Sequence, residues 1–207
     1  MKVVSRFFLS GTDTDVGKTT AAAALCAAWG LAYWKVVQAG TVPTTDRATV
    51  GRLAGVTTYP EAYVLARPAS PHAAARDEGI RIDPGQLRAP CEGPLLVEGA
   101  GGFSVPLAAD PWVWQAEIPR RLGLPVVIVA RTGLGTLHHT TTTVAAVRAA
   151  GLPCAGLVLV GDPHPENETD VEALTGIPVW GRLPRVVDVD RGFSTLVEAV
   201  RRWRYAR

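Results

Sequence analysis

The densest chemistry in this chain lies in Gly11-Thr12-Asp13-Thr14-Asp15-Val16-Gly17-Lys18-Thr19, which follows an apolar run and leads into an alanine-rich, helix-favouring stretch. Strand, glycine-bearing loop, Lys-Thr and helix is the order of a Walker A loop. In such a loop, backbone N–H groups and the helix N-terminus surround phosphate oxygens, the lysine reaches the outer phosphates and the threonine holds Mg2+. The standard spacing puts glycine six residues before the lysine; here Thr12 stands there and Gly11 is one residue earlier. Asp15, Val16, Gly17, Lys18, Thr19 and Thr20 are the expected nucleotide contacts, with ATP the expected ligand.

A carboxylate should accompany the loop at the end of another strand. Pro94-Leu95-Leu96-Val97 runs into Glu98 and then into Gly99-Ala100-Gly101-Gly102, glycines that let the backbone approach a ligand. A lone acid at a strand end is an ordinary loop residue; paired with a phosphate loop, Glu98 is an expected Mg2+ ligand, and Gly99, Ala100 and Gly101 fall beside the nucleotide.

Lysine usage points to one further residue. Of 21 basic residues only Lys2, Lys18 and Lys35 are lysines. A chain that uses arginine for general positive charge has kept lysine at two internal places, where a compact ammonium and a planar guanidinium are not interchangeable. Lys35, at the carboxyl end of an apolar run, is expected to stabilise negative charge on reacting atoms; the competing reading is a strand-end lysine that snorkels to solvent.

The elements that must position these groups follow from the apolar pattern. Runs at 6–10, 33–38, 94–97, 125–130 and 155–160 read as strands, with helices over 19–29 and 137–150. Nearly continuous apolar strands alternating with helices predict an α/β fold: a mainly parallel sheet with helices on both faces, ligands gathering at the strands' carboxyl ends. Residues 1–207 suit one domain of P-loop NTPase type. Gly/Pro clusters at 68–71, 84–85 and 163–165 mark loops, none long enough for a linker.

Net charge is +2, and the basic residues show no stripe; Arg201, Arg202, Arg204 and Arg207 read as a solvated helix end, so no nucleic-acid partner is expected. Cys26, Cys91 and Cys154 lie in no zinc spacing. With no apolar stretch long enough for a bilayer and no leader, a cytoplasmic protein without a membrane partner is expected.

The loop at 11–19 resembles that of the dethiobiotin synthetase family, and three further segments follow in the family's order: Lys35-Val36-Val37-Gln38-Ala39-Gly40, Val97-Glu98-Gly99-Ala100-Gly101-Gly102 and Leu134-Gly135-Thr136-Leu137-His138-His139-Thr140. The resemblance implies that 7,8-diaminononanoate, CO2 and ATP give dethiobiotin, ADP and phosphate through a carbamate and its phosphoric anhydride. It also implies that Lys35 and Lys18 are catalytic, that Thr19, Asp46 and Glu98 hold Mg2+, and that Asp13 and Asp15 orient the loop. The substrate carboxylate would meet Gly135, Thr136, Leu137 and His138 at a helix start of the neighbouring subunit, in a homodimer. Read alone, Asp46 after Thr44-Thr45 is a helix cap, and residues 135–138 are a helix start.

The chain departs from the family pattern at Val36, Ala39 and His138. The hydroxyl expected at Ala39 is missing, and Thr41 is the substitute within reach. Where relatives carry an adenine-reading Asn this chain runs Val160-Gly161-Asp162-Pro163, which leaves two readings: a relaxed nucleotide choice dominated by phosphate contacts, or adenine read by backbone groups near Pro184, Arg185 and Val186. His72 resembles a family segment near the site and reads equally as a surface histidine. Two other readings compete: a related P-loop ligase with another substrate, and a partitioning or positioning ATPase that uses nucleotide as a switch. The latter carry an extra lysine at the loop start, which is absent here.

Overall fold

A computed structural model describes residues 5–203; Lys2, Arg204 and Arg207 lie outside the described residues. The strands are β1 (Arg6–Gly11), β2 (Ala32–Lys35), β3 (Val37–Ala39), β4 (Thr58–Tyr59), β5 (Tyr63–Leu65), β6 (Leu95–Gly102), β7 (Pro106–Ala108), β8 (Val113–Trp114), β9 (Val126–Arg131), β10 (Cys154–Val160) and β11 (Val179–Leu183). The helices are α1 (Lys18–Trp29), α2 (Asp46–Ala54), α3 (Pro71–Asp77), α4 (Glu117–Leu122), α5 (Thr136–Ala149), α6 (Pro165–Thr175) and α7 (Val189–Arg201).

Seven strands form one parallel sheet in the order β11-β10-β9-β1-β6-β2-β4. Successive side chains of a strand point to opposite faces, and β1 shows the result. Phe7 and Leu9 pack with α1, α2 and α7, whereas Phe8 packs with residues of α3 to α6. Both faces are therefore covered, and the central strands can be apolar throughout. Around Phe7, the indoles of Trp29 and Trp180 lie edge-on at 6.4 and 5.8 Å, a preferred aromatic geometry.

The run at 33–38 is not one strand. After Lys35 the chain bends, Val36 O accepts from Ala62 N and Tyr63 N, and β3 leaves the main sheet to pair with β5. That departure opens the space above the carboxyl ends of β2 and β6. Two of the expected loop clusters run into helices, because Pro71 and Pro165 open α3 and α6. Proline is tolerated there since a first-turn N–H has no partner to lose.

Candidate active site

The loop after β1 is held from beneath by Val16, which is buried in the α1 face of the core. Gly17 supplies the N-cap of α1 in a left-handed conformation, φ 92°, with no side chain capping the helix and no acid in its first turn. The first N–H groups of α1 are thus left for an external anion. Lys18 Nζ lies across its own loop and donates to Asp13 O at 2.9 Å; Asp13 Oδ1 accepts from Thr14 N at 2.7 Å. Asp15 also takes a positive φ, 53°.

Register delivers the second half of the site. Lys35 stands opposite Glu98 in the β2–β6 pair, and Glu98 stands opposite Leu9 in the β1–β6 pair, so the acid arises beside the phosphate loop. Lys35 Nζ contacts Glu98 Oε1 at 2.9 Å, Gly99 O at 2.8 Å and Asp46 Oδ2 at 2.6 Å. An ammonium has three donors, and all three are engaged. Lys35 is therefore a buried ion-pair centre and not a snorkelling side chain.

Asp46 comes from the start of α2. Thr45, not Asp46, is the cap: its hydroxyl accepts from Ala48 N at 3.2 Å. Gln38 fixes the turn, accepting from Asp46 N at 3.0 Å and donating to Gly40 O at 2.8 Å. Asp46 Oδ1 accepts from Thr19 Oγ1 at 2.8 Å, which joins α2 to the phosphate loop.

Burial alone would disfavour the charge on Lys35, but Glu98 and Asp46 together outweigh it and hold its pKa above the ordinary value. Burial also works against the charge on Asp46, and Lys35 with Thr19 overcomes it, so that carboxyl sits below its usual range. Glu98, fully enclosed and close to Asp46, is pushed up by burial against the pull of Lys35. Lys18 is lowered, chiefly by burial and opposed by Glu98.

These groups surround a cavity of about 750 Å³. Its wall brings together ten of the residues expected from sequence: Asp15, Gly17, Lys18, Thr19, Thr20, Lys35, Asp46, Glu98, Ala100 and Gly101. Gly99 contributes its carbonyl to Lys35 from behind the wall. Ala39 lines the cavity without a hydroxyl, and half-buried Thr41 does not line it.

Three groups of expected residues stand elsewhere. Gly135 is the left-handed N-cap of α5, Leu137 packs on the core and His138 is exposed, while buried Thr136 shares a hydrogen bond with Thr140 at 3.3 Å. Pro184, Arg185 and Val186 follow β11. That turn neighbours the phosphate loop through β10, since Val160 would flank a Cβ at Gly17 and Gly161 N donates to Leu183 O. Gly161 O in turn accepts from Arg182 at 2.9 Å. His72 lies on α3 edge-on to Trp112, with its rings 5.5 Å apart, and off the cavity wall.

Sequence reasoning passed over Gln38, Tyr33, Gln115 and the wall formed by residues 68–71. Gln38 and Tyr33 had a usable signal: polar groups inside an apolar run, three and two residues from Lys35. Gln115 had none, because its bonds to Ala100 N and Gly102 O, at 2.5 and 2.9 Å, come from a distant turn.

Thr19, Asp46 and Glu98 offer hard oxygen donors, and the Lys35 ammonium already sits as a cation between the two carboxylates. The donor set fits Mg2+. Among the described residues no group of three or more His, Cys, Asp or Glu is placed to hold a metal ion. A metal here would need oxygens from a phosphate as well, as is usual for Mg2+ at nucleotide sites.

A parallel sheet that brings a phosphate loop and a lysine–carboxylate cluster to the same strand ends places this chain in the P-loop class. The family model described as AAA domain matches residues 5–192. Among curated proteins, the ATP-dependent dethiobiotin synthetase BioD of Rhodopseudomonas palustris is 46% identical over 87% of this chain and 86% of its own length. Proteins of that description from Sphingopyxis alaskensis and Agrobacterium fabrum are 44% and 45% identical, covering 88% and 89% of this chain and 89% and 88% of their own. The chain belongs to the ATP-dependent dethiobiotin synthetase family. Among solved structures, a ParA family ATPase from Chlorobium tepidum aligns with a TM-score of 0.57 at 12% identity, over 95% of this chain and 90% of that one. The cell division ATPase MinD of Pyrococcus furiosus aligns with a TM-score of 0.54 at 16% identity, over 96% and 91%. At such identities the likeness concerns the fold alone.

Proposed function

We propose that this protein is an ATP-dependent cyclo-ligase that closes a cyclic urea on 7,8-diaminononanoate, giving dethiobiotin, ADP and phosphate in biotin biosynthesis. Membership of the dethiobiotin synthetase family supports the reaction. The observation that carries it at residue level is Lys35, bound to both Asp46 and Glu98 at the cavity that Lys18 also lines.

One substrate amine forms an N–C bond to CO2 and loses a proton, giving a carbamate. A carbamate oxygen attacks the γ-phosphorus, the bond to the β-phosphate oxygen breaks, and ADP leaves. The second amine then attacks the carbonyl carbon of the anhydride, forming the second N–C bond and losing a proton to the departing phosphate or solvent, as the C–O bond breaks to release phosphate. Each step develops or moves negative charge, which preorganised cations stabilise in a water-poor site. Lys18 turns from Asp13 O to the β and γ oxygens. Lys35 faces the carbamate and the phosphoryl group in transfer. The free N–H groups of α1 receive phosphate oxygens.

Mg2+, when bound, neutralises charge on the β and γ phosphate oxygens, and Thr19, Asp46 and Glu98 are the residues that would hold it. Asp15, Val16, Gly17, Thr20, Gly99, Ala100 and Gly101 complete the nucleotide contacts, with Pro184, Arg185 and Val186 toward the base. Gly135 to His138 of a second subunit take the substrate carboxylate, so the active form is a homodimer in the cytoplasm. No helix among the described residues is long and apolar enough to cross a membrane.

The test is to incubate purified protein with 7,8-diaminononanoate, bicarbonate, Mg2+ and each nucleoside triphosphate in turn, and to look for dethiobiotin by mass spectrometry. Formation with ATP is expected. Nucleotide hydrolysis without dethiobiotin would point to another ligase substrate or to a nucleotide switch.

A further inference from the structure

Glu98 is gripped at both oxygens, and only one grip comes from the reacting cluster. Lys35 Nζ holds Oε1 at 2.9 Å, whereas the hydroxyl of Tyr33 donates to Oε2 at 3.0 Å. Tyr33 and Lys35 are two residues apart on β2 and so share a face of the sheet. Lys35 is directly opposite Glu98, and Tyr33 is opposite Leu96. The ring must therefore reach forward by two residues, about 6.6 Å at strand rise, which is a tyrosine's length. Both Tyr33 and Glu98 are completely enclosed.

We infer that Tyr33 is a positioning residue for the metal–nucleotide site, its hydroxyl fixing the plane of the Glu98 carboxylate from the oxygen that Lys35 leaves free. The terminal torsion of a glutamate has only a broad, soft preference. A single contact at Oε1 would let the carboxylate swing whenever Lys35 turned toward a substrate. The second contact, at Oε2, involves no reacting group and stays in place. Lys35 has every donor engaged with Asp46, Glu98 and Gly99, so it must release at least one partner to act. Tyr33 is what holds Glu98 through that exchange. A tyrosine serving only the core would need some acceptor for its hydroxyl, but it would have no bearing on the metal.

This rests on the proposed metal-binding role of Glu98 and is tested without the ligase reaction. Tyr33→Phe removes one oxygen and keeps the ring; Tyr33→Leu removes the hydroxyl and alters the packing as well. ADP binding is followed by calorimetry in EDTA and across a Mg2+ series, with melting curves recorded in EDTA. The expected result is that the Mg2+ concentration for half-maximal enhancement of ADP binding rises about tenfold or more in both variants. ADP affinity in EDTA stays that of the parent. Excess Mg2+ then brings the ADP affinity of Tyr33→Phe back to that of the parent. A Mg2+ midpoint unchanged in Tyr33→Phe while its melting temperature falls would overturn the proposal, and so would a shift confined to Tyr33→Leu, which would trace the effect to ring packing. Because no diaminononanoate is present, either result stands whether or not the protein closes a urea.

Discussion

Lys35 Nζ and Asp46 Oδ2 lie 2.6 Å apart, although the first residue ends a strand of the main sheet and the second opens a helix. Between them the chain leaves the sheet, forms β3 and turns into α2. The ion pair closes that excursion, and with Thr19 bonded to the same carboxylate it ties α2 to the phosphate loop. Lys35 thus has a place in both the architecture and the chemistry of the site, and the two can be separated.

Replacing Lys35 by alanine removes the counter-charge of two carboxylates, one of them fully buried. Breaking such a pair costs about 3–5 kcal/mol, so urea denaturation should show a large loss of stability. Turnover should fall by at least about 100-fold, the usual consequence of losing a preorganised charge-stabilising group. Kinetics on the folded fraction separate the two effects.

Acid should undo the Lys35–Asp46 link from the carboxylate side. The pKa of Asp46 is held below its ordinary value, so the stability it contributes is complete above about pH 3.9 and is lost as pH falls through the lower folded value. Lys35 is raised, so its contribution is complete below about pH 10.4 and is lost only as pH rises through the higher folded value. The stability difference between the parent and Asp46→Asn should shrink as pH falls from about 3.9 toward 2, as read from urea midpoints.

Gly99 has no room for a side chain. A Cβ there would lie 2.6 Å from Phe8 Cζ and 2.7 Å from Gln115 Oε1, both on fully buried residues. Gly99→Ala should lower stability by about 1–3 kcal/mol, the range for overpacking. It should also reduce activity, because the displaced strand carries the carbonyl that anchors Lys35. Thermal melting and turnover check both.

Much of this site was legible because its signals are local. The loop at 11–19 and the strand ending in Glu98 are contiguous runs, and β1, β6, β9 and β10 read as continuous apolar strands since both sheet faces are covered. What sequence missed depends on pairing over distance. The run at 33–38 looks like one strand, yet β3 pairs with β5 some 26 residues on. β4, β7 and β8 are only two or three residues long, and β11 contains Gly181 and Arg182, so none shows a period. Tyr33 looks like core until Glu98 is brought to it from 65 residues away. Gln38 gains a role only when α2 folds back upon it.

The most direct measurement supplies 13C-bicarbonate with 7,8-diaminononanoate, ATP and Mg2+ and follows label, ADP and phosphate together. One labelled carbon in each dethiobiotin and one ADP per product are expected, with both lost in Lys35→Ala. Release of ADP and phosphate with no labelled urea would contradict the proposed ring closure.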